Sequence, residues 1–297
     1  MQLANDSLQF FGKPEEVNTS LCQLSNINEI KSIYSLSTTN PNHLLTENIC
    51  PLLVQLQKKN QFTHICGPIS SISKTLFPRL SACLNTDMLS NILYIDWKNN
   101  IYTQPTYANN IHIHLKHNGS IAIFSLRPTS YSPIVKASEL QTYTHINKNK
   151  PIIPMEITTV SPRIQFINIQ TQSSERPDYS VCPAIVVGGR GMGSKDAFKD
   201  LYILADKLKG NVGGTRGAVD NGYISNTCQV GQTGKYISPE VYIGVGVSGA
   251  AQHLAGMKDS HVIFAVNKDS QANIFKVCDY GLVGDAHTVI PELNKLL

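Results

Sequence analysis

The stretch Val241-Tyr-Ile-Gly-Val-Gly-Val-Ser-Gly-Ala-Ala-Gln-His-Leu-Ala-Gly256 decides the fold of this 297-residue chain. Its first seven residues form an apolar run typical of a buried strand, and the residues after Gly249 favour a helix. A second apolar run, His261-Val-Ile-Phe-Ala-Val-Asn267, follows closely. Strand, helix and strand in this order predict a parallel α/β sheet.

The same alternation begins upstream, at Ala184. The run Ala184-Ile-Val-Val-Gly-Gly189 predicts a strand, and apolar residues recur at helical spacing from Phe198 to Leu208. Ser194 is the predicted N-cap of this helix, and Gly210 its predicted C-terminal stop. Residues 291–297 predict a closing helix at the C-terminus.

Glycine and proline divide the chain into two parts. Residues 184–297 hold 17 of the 20 glycines, and residues 1–183 hold 13 of the 15 prolines. We therefore predict two α/β domains, an N-terminal domain over residues 1–177 and a Rossmann-like parallel-sheet domain over residues 178–297. The glycines indicate backbone held very close to a neighbour or ligand, and a loop-rich domain with many tight turns is the alternative.

The N-terminal domain is less clearly patterned. Its predicted elements are helices over Leu45–Lys58 and Lys74–Leu84 and strands over Asn91–Asp96 and Ser120–Ser125. Residues 1–57 show no clear opening strand and helix. The polar segment Gln170–Pro183 is the predicted linker between the domains.

Composition excludes several classes of protein. The net charge of +4 is spread as +3 over residues 1–183 and +1 over the rest, so nucleic acid is not a predicted partner. The apolar runs are far shorter than the roughly 18 residues that cross a bilayer, so no membrane-spanning segment is predicted. Seven scattered cysteines without a Cys-x-x-Cys pair favour a reducing compartment. No targeting segment is visible at Met1–Asp6, which leaves a cytoplasmic protein or a lost presequence.

The segment Gly244-Val-Gly-Val-Ser-Gly249 matches the dinucleotide pattern, with Asp269 twenty residues beyond it. This match makes a nicotinamide-dependent dehydrogenase one alternative, although the first two glycines fall within the predicted strand rather than in a turn. Ser248 stands at the strand-to-helix junction, where it would either help to bind a phosphate or cap its own helix.

Three further glycine-rich clusters carry polar or charged side chains. The arginines suit an anionic group or a planar ring, and the amide and hydroxyl donors suit the edge of a heterocycle. The clusters are Gly188-Gly-Arg-Gly, Gly213-Gly-Thr-Arg-Gly and Gln229-Val-Gly-Gln-Thr-Gly-Lys235.

The sequence predicts neither a catalytic residue nor a metal site. It contains no G-x-S-x-G, H-E-x-x-H or Walker A pattern. His112 and His114 alternate along a predicted strand, but no carboxylate or cysteine beside them completes a metal site.

These clusters together closely resemble the FAD domain of the electron-transfer flavoprotein α subunit. Their order and spacing fit as well, and the resemblance covers about residues 58–297. The remaining motifs that carry it are Ser248-Gly-Ala-Ala-Gln-His-Leu-Ala-Gly-Met-Lys-Asp259, Asn267-Lys-Asp and Asp279-Tyr-Gly-Leu-Val-Gly-Asp285, with Thr63-His-Ile, Pro78-Arg-Leu, Pro105-Thr-Tyr-Ala and Arg127-Pro-Thr in the N-terminal domain.

The resemblance implies an electron carrier rather than an enzyme. Such a chain binds FAD, pairs with a β subunit, accepts electrons from acyl-CoA dehydrogenase-type flavoenzymes and passes them to a membrane quinone reductase. It works in the bacterial cytoplasm or, in a eukaryote, in the mitochondrial matrix. The unclear pattern of residues 1–57 leaves a degenerate, flavin-free interaction subunit as another alternative.

The resemblance also assigns roles to individual residues. Arg216 would place its charge against the isoalloxazine ring, where it favours one-electron steps. Thr233 would hydrogen-bond near flavin N5, and His253 would contact the pyrimidine carbonyl edge. The implied FAD-binding residues are Arg190, Thr215, Arg216, Val230, Gly231, Gln232, Thr233, Ser248, Gly249, Ala250, Ala251, Gln252, His253, Asn267, Asp285 and Ala286.

Overall fold

The structure, a computed structural model, describes residues 7–12, 14–27, 30–131, 150–169, 176–179 and 182–297. Within these ranges the chain forms two compact units. The first comprises residues 1–104 and 113–170, and the second comprises residues 105–112 and 171–297. Both units are α/β with parallel strand pairs, which confirms the predicted fold class. The sequence did not predict that residues 105–112 belong with the second unit, and the domain boundary at residue 177 stays a prediction.

The strands that precede Ala184 form three small sheets. Their orders are β1-β2-β9, β3-β8-β4 and β5-β6-β7. The pairs within the first two sheets are parallel, and β5 pairs with β6 in antiparallel fashion. The strands are β1 (Ser7–Gly12), β2 (Ser32–Ser37), β3 (His64–Pro68), β4 (Met88–Ile92), β5 (Tyr94–Asp96), β6 (Ile101–Thr106), β7 (Ile111–Lys116), β8 (Ala122–Leu126) and β9 (Ile152–Pro154).

The opening of the chain corrects the sequence analysis. Strand β1 pairs in parallel with β2, and the helix α1 (Pro14–Leu24) connects them. Val17 and Leu21, one helical turn apart, are buried and pack with Ile33 of β2. Residues 1–57, whose pattern is unclear in the sequence, therefore do contain an opening strand and helix, and the buried Val17 and Leu21 anchor that helix on β2.

The two predicted helices of the first unit are confirmed. They are α2 (Thr46–Asn60) and α3 (Ser71–Cys83), and α3 begins with a capping box in which Ser70 and Ser73 bond reciprocally. Leu53 of α2 and Leu80 of α3 are buried in one hydrophobic cluster. The predicted strands near Asn91 and Ser120 correspond to β4, β5 and β8.

The second unit contains a five-stranded parallel sheet. Its order is β11-β10-β12-β13-β14, which is 2-1-3-4-5 when its strands are counted along the chain. In a doubly wound sheet of this order, the first and third strands flank the crevice in which ligands bind, at their carboxyl ends. The strands are β10 (Ala184–Gly188), β11 (Asn211–Gly214), β12 (Val241–Val245), β13 (Val262–Asn267) and β14 (Tyr280–Val283).

Three of the four α-helices in the described residues of this unit were predicted, and the short helix at Arg216 was not. The C-terminal helix starts at Ala286, five residues earlier than predicted. Ser194 does not cap the helix at Phe198; its hydroxyl accepts a hydrogen bond from the Ala197 nitrogen in the preceding turn. The helices are α4 (Phe198–Lys207), α5 (Arg216–Asp220), α6 (Ala251–Met257) and α7 (Ala286–Leu296).

The predicted linker and the predicted lack of a membrane-spanning segment can be compared only with the described residues. Most of the predicted linker, Gln170–Pro183, lies outside the described residues. Across the part of the chain that is described, every helix is too short or too polar to cross a membrane.

Candidate functional site

The predicted site residues gather at the carboxyl edge of the five-stranded sheet. Arg190 stands two residues after β10, and Thr215 directly after β11. Ser248 follows β12, Asn267 ends β13, and Asp285 stands two residues after β14. Because the strands are parallel, these positions share one edge of the sheet, which is where ligands bind in folds of this type. The structure therefore brings together residues that are up to 95 positions apart in the sequence, from 190 to 285.

The crevice between β10 and β12 is closed at its base by backbone contact. The Gly189 nitrogen donates to the Val245 carbonyl at 2.8 Å, and the Gly191 nitrogen donates to the Gly246 carbonyl at 3.1 Å. A Cβ atom on Gly189 would lie 2.0 Å from the Gly246 oxygen, so any side chain there would push the two loops apart. At this point, therefore, glycine is needed because the loop after β10 and the loop after β12 are in direct backbone contact.

The segment Gln229–Lys235 extends the same edge beyond β11. The Val230 nitrogen donates to the Gly214 carbonyl at 2.9 Å, and the Gln232 nitrogen donates to the Gln252 carbonyl in α6 at 2.8 Å. The loop is thus held on one side by the end of β11 and on the other by the first turn of α6.

Gly231 allows this loop to lie flat against α6. Its φ of 145° is one that other residues rarely adopt, and a Cβ on Gly256 of α6 would lie 2.5 Å from the Gly231 Cα. With the backbone held in this way, Gln232 and Thr233 are exposed while Val230 is buried. The loop therefore presents two polar side chains on an anchored base.

The hydroxyl of Thr233 is oriented by a neighbour. The buried side chain of Gln229 donates from Nε2 to Thr233 Oγ1 at 2.7 Å. Because Thr233 Oγ1 is the acceptor of this bond, its hydroxyl proton remains available to donate to another acceptor. This geometry suits a hydrogen bond to a ring nitrogen of a bound heterocycle.

His253 lies behind the loop and is buried. Its Nδ1 lies 3.0 Å from the Val230 carbonyl, and its Nε2 lies 2.7 Å from the Tyr242 hydroxyl. Burial lowers the pKa of His253 to about 4, although the bond to Val230 opposes the shift. The ring is therefore neutral near pH 7, with Nδ1 donating to Val230 and Nε2 accepting from Tyr242.

Two exposed guanidinium groups supply positive charge at this edge. Arg190 lies in a short 3₁₀ turn after β10, and Arg216 is the first residue of α5. The Nε of Arg216 lies 3.6 Å from a carboxylate oxygen of Asp220, and both side chains are largely exposed. Exposed pairs of this kind are weak, so the charge of Arg216 remains available to a ligand.

Three other predicted residues hold the edge together in this structure. The Thr215 hydroxyl accepts from the Ala218 nitrogen as the N-cap of α5. Asn267 Nδ2 donates to the Val247 carbonyl at 2.8 Å. The carboxylate of Asp285 accepts from the His287 nitrogen as the N-cap of α7. Contacts of these three side chains with a ligand stay predictions.

The remaining predicted residues line the first turn of α6 and the start of α7. The N-cap residue of α6 is Ala250, and no side chain forms a capping hydrogen bond there. Ser248 therefore does not cap the helix, and its side chain is exposed. Gly249 is buried with a φ of 80°. Ala251 and Gln252 are exposed in the first turn of α6, whereas Ala286 is buried in α7.

Sequence reasoning missed two residues of this site. Tyr242 is fully buried and bonds to His253, and Gln229 orients Thr233. A tyrosine in an otherwise aliphatic strand, and a second glutamine in the Gln229–Lys235 motif, were the available signals.

The structure also explains one glycine of the dinucleotide pattern. Gly244 lies inside β12, and a Cβ there would lie 2.9 Å from the ring of Tyr242. Gly244 thus makes room for a neighbouring side chain, which is a different use from the tight turn of the dinucleotide fingerprint.

Nothing in the described residues brings three potential metal ligands together. Of the two histidines considered for that role, His112 is exposed, and His114 Nδ1 lies 3.1 Å from Thr103 Oγ1.

Comparison with known families covers most of the chain. Residues 10–152 match the model of the electron transfer flavoprotein domain, and residues 180–258 match that of the electron transfer flavoprotein FAD-binding domain. The first match begins at residue 10, well before the residue 58 at which sequence analysis placed the start of the resemblance. The sheet edge, with its flat glycine loops, exposed donors and two guanidinium groups, fits a large planar cofactor that carries phosphates.

Curated relatives give the same result. The electron transfer flavoprotein subunit alpha of Pseudomonas aeruginosa is 38% identical over 85% of this chain and 78% of its own length. The mitochondrial subunit alpha of Oryza sativa subsp. japonica is 41% identical over 86% of this chain and 70% of its own length. The probable mitochondrial subunit alpha of Cryptococcus neoformans is 35% identical over 96% of this chain and 80% of its own length. The chain therefore belongs to the electron transfer flavoprotein alpha-subunit family, and its second unit carries the FAD-binding domain of that family.

Proposed function

We propose that this chain is the FAD-carrying subunit of a heterodimeric electron carrier. It accepts electrons from acyl-CoA dehydrogenase-type flavoenzymes and delivers them to a membrane quinone reductase, with an electron-transfer flavoprotein β subunit as its permanent partner. Bound FAD supplies the redox chemistry, because none of the protein side chains at the site is a redox group. The chain itself binds the cofactor, orients it and sets the charge around it.

The observation that carries this proposal is the Gln229–Lys235 loop. Its backbone is fixed by β11 and α6, and it presents the exposed Thr233 hydroxyl, whose oxygen accepts a hydrogen bond from Gln229. A carrier needs a rigid hydrogen-bond donor beside the flavin ring more than it needs an acid or a base, because electron transfer moves no substrate proton.

The charged residues support the same role. Arg216 follows β11 immediately and offers a permanent positive charge, which stabilises electron density that arrives on a bound ring. Arg190 after β10 and the first turn of α6 lie along the crevice where the phosphates of FAD would bind. We assign the adenosine end of the cofactor to the carboxyl ends of β13 and β14, where Asn267 and Asp285 lie.

The role of His253 follows from its two bonds. Contact between its Nε2 and the pyrimidine edge of the flavin would require the ring to leave Tyr242. In the described arrangement His253 instead acts through Val230, whose carbonyl it holds. Both roles are testable, and they differ in what happens when Tyr242 is replaced.

A nicotinamide-dependent dehydrogenase is the second candidate function. It rests on the pattern from Gly244 to Gly249, and the position of Gly244 inside β12 counts against it. A flavin-free interaction subunit is disfavoured by the exposed side chains of Arg190, Gln232 and Ser248 at the sheet edge, none of which caps a helix. The mitochondrial names of the rice and Cryptococcus relatives support a mitochondrial matrix location in a eukaryote, and the Pseudomonas relative supports the cytoplasm in a bacterium.

The test is to co-express the chain with a candidate β subunit and to measure the flavin content and its reduction. A yellow complex that is reduced by an acyl-CoA dehydrogenase with its substrate, and reoxidised by a quinone reductase, supports the proposal. A colourless complex that binds NAD supports the dehydrogenase instead. A colourless complex that binds neither cofactor supports the flavin-free subunit.

A further inference from the structure

Helices α2 and α3 of the first unit meet along a seam that adds three contacts between polar or thiol side chains to the buried apolar cluster of Leu53 and Leu80. Near its start, Thr46 Oγ1 lies 3.0 Å from Thr75 Oγ1. One residue further along α2, Glu47 Oε1 accepts a bond of 3.2 Å from Arg79. These two contacts fix the position of one helix along the other.

The third contact of the seam joins two thiols. The sulfur of Cys50 lies 3.9 Å from the sulfur of Cys83, which is the last residue of α3. Cys50 follows Glu47 by three residues, and Cys83 follows Arg79 by four, so each thiol lies about one helical turn beyond a member of the ion pair. The same packing that aligns the charges therefore aligns the sulfurs.

We propose that Cys50 and Cys83 form a reversible disulfide, and that this dithiol is an oxidative modification site for peroxides. The sulfurs need to approach by about 1.9 Å to reach the length of a disulfide bond. Cys83 ends its helix, and Leu84 and Asn85 after it are not helical, so the end of α3 can make this adjustment. The site lies entirely in the first unit, so this proposal does not depend on FAD binding.

The different exposure of the two thiols sets the order of the chemistry. Cys83 is exposed, whereas Cys50 is buried, so a peroxide reaches Cys83 first. Burial raises the pKa of the Cys50 thiol to about 11, and the neighbouring Cys83 adds to that shift. Cys50 is therefore the less readily oxidised of the two thiols.

The reaction balances with hydrogen peroxide as the oxidant. In the first step the Cys83 sulfur takes one peroxide oxygen and becomes a sulfenic acid, and the other oxygen leaves as water. In the second step the Cys50 sulfur attacks the Cys83 sulfur, and the hydroxyl leaves with the Cys50 proton as a second water. The two sulfurs lose two electrons in total, and the peroxide gains them. A dithiol reductant reverses the change.

The test uses the full-length chain in its purified complex and needs no variant at first. After treatment with hydrogen peroxide and blocking of the remaining thiols, we expect a digest to contain the peptides of Cys50 and Cys83 joined by a disulfide. The intact mass falls by two hydrogen atoms before blocking. The melting temperature of the first unit rises by roughly 5 °C, because the bond closes a loop in the unfolded chain. Dithiothreitol removes all three changes.

Variants separate this pair from the other cysteines. Cys83→Ser and Cys50→Ala each abolish the joined peptide, whereas Cys66→Ser, at another exposed cysteine, leaves it in place. Since Cys50 is buried and its replacement can disturb folding, Cys83→Ser at the exposed position carries the comparison. The proposal is overturned if both thiols stay open to alkylation after peroxide. It is equally overturned if Cys83 accumulates as a sulfinic acid or links to another chain while Cys50 remains free.

Discussion

The side-chain amide nitrogen of Gln229 lies 2.7 Å from the hydroxyl oxygen of Thr233. Gln229 is buried and Thr233 is exposed, so the bond passes from the interior of the second unit to its ligand edge. A buried amide thereby holds the oxygen of an exposed hydroxyl whose proton is available to a ligand. The relationship predicts that the two side chains act on the cofactor as a single unit.

Gln229→Ala and Thr233→Ala should therefore weaken FAD binding to a similar degree. We expect the dissociation constant for FAD to rise about 3- to 10-fold in each variant, which corresponds to the net free energy of one hydrogen bond. The double variant should be no weaker than either single variant, because the second change removes nothing further. Thr233→Ser, which keeps the hydroxyl, serves as the control. Additive losses in a fluorescence titration with FAD would mean that Gln229 does not act through Thr233.

The low pKa of His253 predicts a pH-dependent stability. Its pKa of about 4 in the folded chain is below the value of about 6.5 for an unperturbed histidine, so the unfolded chain binds more protons between these values. The free energy of unfolding should consequently fall as the pH falls through this window, by about 2 kcal/mol between pH 7 and pH 5 from this residue. Urea denaturation at several pH values measures the change.

His253→Gln should flatten that profile, because it removes the titrating group. His287→Gln, at an exposed histidine in the same unit, should keep the wild-type slope. Equal slopes in the wild type and in His253→Gln would contradict the assignment of a neutral, buried His253.

Tyr242→Phe distinguishes the two roles of His253. The variant leaves Nε2 without its partner, and we expect a loss of about 1 to 3 kcal/mol in the free energy of unfolding. If His253 acts only through Val230, the affinity for FAD should change by less than about 2-fold. A marked gain in affinity would instead indicate that the freed Nε2 contacts the cofactor directly. Paired measurements of unfolding and of FAD titration decide between these results.

Arg216 and Asp220 provide a test of charge at the ligand edge. Asp220→Asn removes the carboxylate that lies 3.6 Å from Arg216, and we expect FAD to bind about 2- to 5-fold more tightly, in line with the value of an exposed ion pair. Arg216→Ala should weaken binding and lower the reduction potential of the bound flavin. Asp196→Asn, in another exposed pair of the same unit, should change neither quantity. If Asp196→Asn has the same effect as Asp220→Asn, the net charge of the unit and not Arg216 is responsible.

Gly189→Ala tests the backbone contact at the crevice. The new Cβ would lie 2.0 Å from the Gly246 oxygen, so the loops must separate, at a cost of about 3 kcal/mol or more in the free energy of unfolding. Gly217→Ala is the matched control, because its Cβ would meet nothing closer than 3.6 Å. Thermal unfolding and flavin content should be altered strongly in the first variant and little in the second. Tolerance of Gly189→Ala would show that the two loops do not pack as described.

The central strands of the second unit could be predicted from the sequence because their signal is local. Four consecutive apolar residues that include β-branched ones, as in Ala184–Val187, favour a buried strand, and all four are buried in the structure. The first helix has a weaker signal, since Val17 and Leu21 are separated by the polar run Asn18-Thr-Ser20. Their burial is explained by packing with Ile33, which is distant in sequence.

The site was predictable in its location but not in its internal bonds. Loops after parallel strands share one edge, so the positions of Arg190 and Ser248 follow from the predicted strands at Ala184 and Val241, whereas the strand before Arg216 was not predicted. The contact between Gly189 and Gly246 depends on the register of β10 against β12, which a single sequence does not reveal. The bond between Tyr242 and His253 likewise requires the packing of α6 on the sheet. Such contacts between distant elements are decided by tertiary structure.

The most direct test of the account is an anaerobic reduction of the purified heterodimer, followed by its visible absorbance. We expect FAD to be present in the complex and to be bleached by an acyl-CoA dehydrogenase with its substrate, with colour restored by a quinone reductase. Thr233→Ala and Arg216→Ala should alter the potential of that flavin. A complex without flavin would contradict the account. So would a flavin whose reduction potential is unchanged in both variants and that is reduced by NADH alone.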